Sequence, residues 1–199
     1  MKQGQLKAAA IALLVLVTTV SPAQAAPNYV FPIAGCDYTY AKAHHDYPAT
    51  DILAKAGCRY VAVTSGVIDE VNRVDSWSGK TNLGVDRGGL YVSFIGTDGV
   101  RYYASHLRTI PQSSQPGVEV KAGRLLGTVG ATGSARGTKP HIHFGLSWST
   151  PPQTWWVRRG MVWPWKYLDA WKAGKDLSPA KEVEAQRLKS SDIPPEPKK

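Results

Sequence analysis

Long apolar runs are almost missing from this chain of 199 residues, and the single one, Ala8 to Val20, lies at its very start. No later segment approaches the roughly 20 apolar residues of a membrane-spanning helix, so nothing beyond the start of the chain is expected to cross a membrane. The early run follows Lys2 and Lys7 and leads through Pro22 into the small-residue pattern Ala23-Gln24-Ala25. That order is an export signal, residues 1–25, cleaved near Ala25 or Ala26; a retained anchor is the alternative. Cleavage leaves about 174 residues, enough for one domain with a real core.

Cysteine is also scarce, with two in the chain. A disulfide-stapled miniprotein is thereby excluded. In an exported protein Cys36 and Cys58 are most simply one bridge, closing a loop that contains His44, His45 and Asp51. Closure of such a loop stabilises the fold by about 3 kcal/mol. Zinc ligation by cysteine competes with that reading, but the pair lacks close Cys-x-x-Cys spacing. Acidic residues are the third shortage: 15 against 24 Lys and Arg give a formal charge of +9. Such a surface attracts polyanions. No nucleic-acid-binding motif accompanies the charge, so anionic polymers outside the cell are the expected partners.

What is present, up to about residue 148, is a series of short apolar or alternating runs punctuated by Gly, Asp, Asn and Ser. This pattern predicts an all-β domain. The candidate strands are Tyr60 to Val63, Gly66 to Val74, Leu90 to Ile95, Arg101 to Ser105, Leu125 to Val129 and His141 to Leu146. Gly96-Thr97-Asp98-Gly99 reads as a hairpin turn, and Gly130 to Pro140 as a long loop delivering the chain into His141. Six of the seven tryptophans fall between Trp148 and Trp171. They offer either a stacking surface or packing anchors; packing is favoured, with Tyr167 to Trp171 as a short helix docking on the sheet. Residues 175–199, rich in Lys, Glu, Ser and Pro, are expected to be a disordered, solvated tail. No internal repeat is present.

The histidines carry the chemistry. In a strand, residues two apart look to the same side, so His141 and His143 share a face while Ile142 and Phe144 pack behind. The chain has five histidines, and the other three fall in two segments: His44 and His45 ahead of Asp51, and His106 after a tyrosine-rich run. Two imidazoles and one carboxylate suit zinc, and a catalytic site leaves its fourth position to water. Water in such a site can reach a pKa of roughly 7, which makes hydrolysis the expected reaction class.

In order, these segments resemble the lysostaphin or LytM-type zinc metallopeptidases that cut peptide cross-links in bacterial cell walls. The resemblance runs from His44 to Ser147. It rests on the His…Asp51-Ile52 segment, Gly66-Val67-Ile68, the Tyr-x-x-His-Leu segment ending in His106-Leu107, Val120 to Gly127, the Gly-x-Thr-Gly of Gly130 to Gly133, and Pro140-His141-Ile142-His143-Phe144. It implies an antiparallel β core with zinc in a groove, Asp51 and His143 as ligands, and one of His44 and His45 as the third. The commonest family spacing would place that histidine at Tyr47. A His-x-Tyr-Pro-Ala-x-Asp variant of the family matches His45 through Asp51, so His45 is the expected ligand and His44 the alternative. His106 and His141 would then hold the water and the reacting carbonyl, with their roles undivided.

The expectation is therefore a secreted, cell-wall-associated zinc metalloendopeptidase acting on peptidoglycan, a monomer, with its domain over residues 26–174. Rivals are a non-catalytic relative that binds peptidoglycan or regulates a partner hydrolase, and a carbohydrate-binding β domain using the tryptophans. A lipoyl- or biotinyl-like carrier is excluded, since no Met-Lys attachment pair is present.

Overall fold

The computed structural model describes residues 28–197; the export-signal expectation lies outside them. Among the described residues, ten strands form two antiparallel sheets, as the alternating runs predict. They are β1 (Ile33–Ala34), β2 (Tyr38–Tyr40), β3 (Thr50–Ala54), β4 (Arg59–Val61), β5 (Gly66–Asn72), β6 (Tyr91–Gly96), β7 (Arg101–Ser105), β8 (Glu119–Val120), β9 (Leu125–Thr128) and β10 (His141–Ser147). The larger sheet has the order β2-β3-β10-β7-β6-β5-β8 and the smaller one β1-β4-β9. Every candidate strand forms to within two residues at each end, whereas β1, β2, β3 and β8 were not foreseen. Among the described residues no helix is long and apolar enough to cross a membrane.

The position of β10 near the middle of the larger sheet explains its composition. Ile142, Phe144 and Leu146 are fully buried with Ile52, Phe94 and Tyr102. Complete burial of a large apolar side chain contributes about 1.5–3 kcal/mol. Indoles close the core: Trp171 meets Phe144 edge-on at 6.4 Å and stacks on Tyr29 at 5.4 Å. Trp171 belongs to the expected C-terminal helix, α2 (Trp165–Lys172), which buries Leu168 and Tyr167 as well. One turn of helix, α1 (Trp155–Arg158), precedes it.

The expected disordered tail needs correction, because a third helix, α3 (Ala180–Lys189), forms there and buries Val183 at 3% exposure. Polar tips of aromatic residues tie this segment down. Tyr167 donates to Glu182 at 2.7 Å, and the indoles of Trp148 and Trp156 donate to the carbonyls of Asp192 and Pro194, each at 2.8 Å. A buried indole N–H needs an acceptor, and here the backbone of the charged tail supplies it. Cys36 and Cys58 are disulfide-bonded, which removes them as metal ligands.

Candidate metal centre and catalytic groove

Strand register brings the first two site residues together. In the β3–β10 ladder Asp51 lies directly opposite His143, and across β10–β7 His143 lies opposite Ser105. Side chains opposite one another in an antiparallel pair stand about 5 Å apart at Cβ, so a short carboxylate reaches the imidazole. His143 Nδ1 is 3.2 Å from Asp51 Oδ1.

The other face of the His143 ring decides what lies between them. Its Nε2 is 2.8 Å from the Arg159 carbonyl oxygen, which only accepts, so Nε2 carries the proton. In the tautomer protonated at Nε2 alone, the Nδ1 lone pair of His143 faces a carboxylate lone pair, and such a pair calls for a cation. Ligand atoms bound tetrahedrally at zinc distances are about 3.3 Å apart, close to the spacing seen. A histidine ligand whose second nitrogen donates to a backbone carbonyl is the usual support of a bound metal.

His44 supplies the third donor, with Nε2 3.7 Å from Asp51 Oδ1. Donor atoms of His44, Asp51 and His143 all lie within 4.8 Å of one another. His44 Nδ1 is buried without a partner among the described residues. The expected ligand His45 is displaced from this cluster: its side chain is 77% exposed, and its Nδ1 lies 2.6 Å from Asp46. The two histidines are immediate neighbours along an irregular loop, and that single step turns one inward onto Tyr47 and His143 and the other outward.

Protonation states suit cation binding. Burial, reinforced by His143, lowers His44 to about 4. Burial raises the Asp51 carboxyl, but the hydrogen bond and charge that the imidazolium form of His143 supplies outweigh it and leave the group at about 2. At neutral pH His44 is thus an uncharged imidazole and Asp51 an ionised carboxylate, the forms a metal requires.

His106 and His141 flank the cluster, their ring centroids 5.0 Å apart. Each is held by a carbonyl acceptor, Thr132 O at 2.8 Å from His106 Nδ1 and Lys139 O at 2.7 Å from His141 Nδ1. Both Nδ1 atoms therefore carry protons, and each ring presents an unprotonated Nε2 when neutral. Burial, then the charges of His143 and His141, lowers His106 to about 3. His106 has φ 64°, a left-handed backbone uncommon for a side chain of this size. Its N–H donates to Gly88 O at 2.9 Å, and the next amide, of Leu107, donates to Leu90 O at 3.0 Å. The Gly-x-Thr-Gly segment fits against this turn: a Cβ on Gly130 would collide with the Arg108 amide, and the Thr132 hydroxyl donates to Leu107 O at 2.9 Å.

All five site residues line one groove of about 400 Å³. Its walls include Tyr47, Tyr103, Trp155 and Arg159, none of which the sequence singled out as site residues. The groove brings together Asp51, His143, His44, His106 and His141 and leaves His45 at its rim. Thr132 and Arg159 act there through main-chain carbonyls, which any residue type would supply, so no residue signal marked them.

A family model, Peptidase family M23, matches residues 45–154. Among solved structures, the catalytic domain of the antimicrobial peptidase lysostaphin from Staphylococcus simulans is 25% identical, covers 66% of this chain and 92% of its own, and superposes with a TM-score of 0.50. A second structure, of the antimicrobial peptidase lysostaphin from Staphylococcus simulans, gives 24% identity, coverage of 78% and 59%, and a TM-score of 0.54. A putative M23 peptidase from Pseudomonas aeruginosa gives 23%, coverage of 70% and 50%, and 0.51. No curated protein sequence matches the chain.

Proposed function

We propose, for a chain that belongs to Peptidase family M23, the hydrolysis of peptide bonds in bacterial peptidoglycan outside the cytoplasm by a zinc metalloendopeptidase. One observation carries this reading: His143 and Asp51 present facing lone pairs 3.2 Å apart beside His44, in a groove also lined by two further histidines. His44, Asp51 and His143 would hold the ion, and residues 26–174 would form the catalytic domain. Zinc, when bound, supplies a water of lowered pKa and polarises the peptide carbonyl.

The chain's own residues supply the rest. His141 is on the strand that carries His143, and its Nε2 would accept a proton from the attacking water. His106 Nε2 is an acceptor while the ring is neutral, and it would serve the carbonyl oxygen or the departing amine as a donor once it has taken up a proton released by the attacking water. A positioned histidine of this kind typically contributes about 10²- to 10⁴-fold in rate. The disulfide and the signal-like start support secretion to the wall, where the net positive charge, +7 once Lys2 and Lys7 are cleaved off, would favour anionic polymers.

The test is digestion of purified peptidoglycan with zinc-loaded protein, with mass analysis of the fragments. New peptide termini and a content near one zinc per chain are expected. Intact cross-links after prolonged digestion by protein of full zinc content would overturn the reading.

A further inference from the structure

Arg159 does two separate things. Its carbonyl holds His143 Nε2, and its guanidinium lies 3.6 Å above the ring centroid of Tyr47 and 5.0 Å from that of Trp155, at the groove wall. The backbone is fixed there by two glycines. A Cβ on Gly145 would strike the Arg159 carbonyl, and one on Gly160 would strike the Pro48 carbonyl.

The charge of this guanidinium is uncompensated. Arg158, its neighbour in the same groove, is ion-paired with Glu70, but among the described residues Arg159 has no ion pair. Its Nε is buried without a hydrogen-bond partner. Asp46 feels its field, but that carboxylate is engaged by His45 at 2.6 Å. Asp51 is committed to the metal cluster. Two aromatic faces hold the guanidinium plane in place while leaving its N–H edges for a ligand. A planar fork of donors beside a reaction centre matches one partner best, a carboxylate.

We propose that Arg159 is a carboxylate-binding residue of the groove and selects peptides bearing a free carboxylate close to the bond that is cut. This rests on the hydrolytic reading of the site. The carboxylate has two possible sources in a wall peptide, the side chain of an acidic or diamino acid and the α-carboxylate of a chain end.

Two measurements test the proposal. The first is binding of fluorescently labelled peptides, by anisotropy, to metal-free protein, with a free carboxylate at the side chain, at the chain end, or amidated at both. Tighter binding of one carboxylate form by about 10- to 100-fold is expected, the range of a charge-assisted pair. Arg159→Met should erase that difference, and Arg159→Lys should restore part of it. The position at which amidation matters identifies the source. The second is kcat and KM for the same peptides with zinc-loaded protein, where Arg159→Met should raise KM for the carboxylate form far more than it lowers kcat. Equal binding of free and amidated peptides, or a preference that survives in Arg159→Met, overturns the proposal. Because the binding arm needs no turnover, a protein that binds with this preference but never cuts would refute the hydrolytic reading alone.

Discussion

Asp51 and His143 stand on paired strands, whereas His44 and His106 stand on loops, and the two pairs reach the same groove by different means. For the strand pair, ladder register alone sets the approach: Asp51 opposes His143, and one residue of slip would turn each to the other face. The loop pair depends on particular local devices. His44 lies in a loop closed by the Cys36–Cys58 bridge, and His106 takes a left-handed backbone braced by Gly88, Leu90 and Thr132. Strands specify direction through a period of two; loops specify it one residue at a time.

The largest effects test the ligand set that spans both regions. His143→Ala and Asp51→Ala should each abolish zinc retention, measured by metal analysis after gel filtration, and with it wall digestion. His44→Ala should do the same, while His45→Ala keeps its zinc, because His45 is turned toward Asp46. Zinc loss in His45→Ala with retention in His44→Ala would exchange the two roles. Next come the flanking histidines: His106→Ala and His141→Ala should keep zinc and lose about 10²- to 10⁴-fold in kcat.

Smaller effects separate the supports. Gly145→Ala puts a methyl group against the Arg159 carbonyl, so the hydrogen bond to His143 Nε2 must lengthen. Loss of such an outer hydrogen bond typically lowers metal affinity by about 10- to 100-fold, readable by competition with a zinc chelator. Reduction of the Cys36–Cys58 bridge acts on the loop side instead. Its 22-residue separation corresponds to about 3 kcal/mol of stability, measurable by denaturant unfolding of a double serine variant.

This contrast also explains what could be read from the residues. β10 was legible because alternation of Ile142, Phe144 and Leu146 with other residues fixes both strand and face, and His141 and His143 came with it, while β7 was legible as a short, tyrosine-bearing run bounded by a turn signal. β3 escaped notice, since Pro48 and the polar residues before it made the segment read as a ligand loop. The choice between His44 and His45 was not legible, because no period governs neighbouring loop residues. Helix α3 was hidden by its composition: its single deeply buried residue, Val183, and the backbone acceptors used by two indoles leave no periodic trace.

An acid titration of the metal-free protein should take the two regions apart in sequence. Burial holds His106 at about 3 and His44 at about 4 in the fold, both below the ordinary value near 6.5. Between those limits the unfolded chain binds protons that the folded chain refuses, so stability falls as pH drops below about 6.5. The strand carboxylate behaves oppositely at its own level. Asp51, held at about 2, favours the fold above the ordinary carboxylate range, and that contribution disappears as pH falls from about 4 toward 2. Melting temperatures measured from pH 7 to pH 5 should therefore decline through His44 and His106, and His106→Gln should flatten part of that decline. An unchanged slope in the variant would show that the His106 loop opens before the strands do, with its imbalance in proton binding already lost in the folded ensemble.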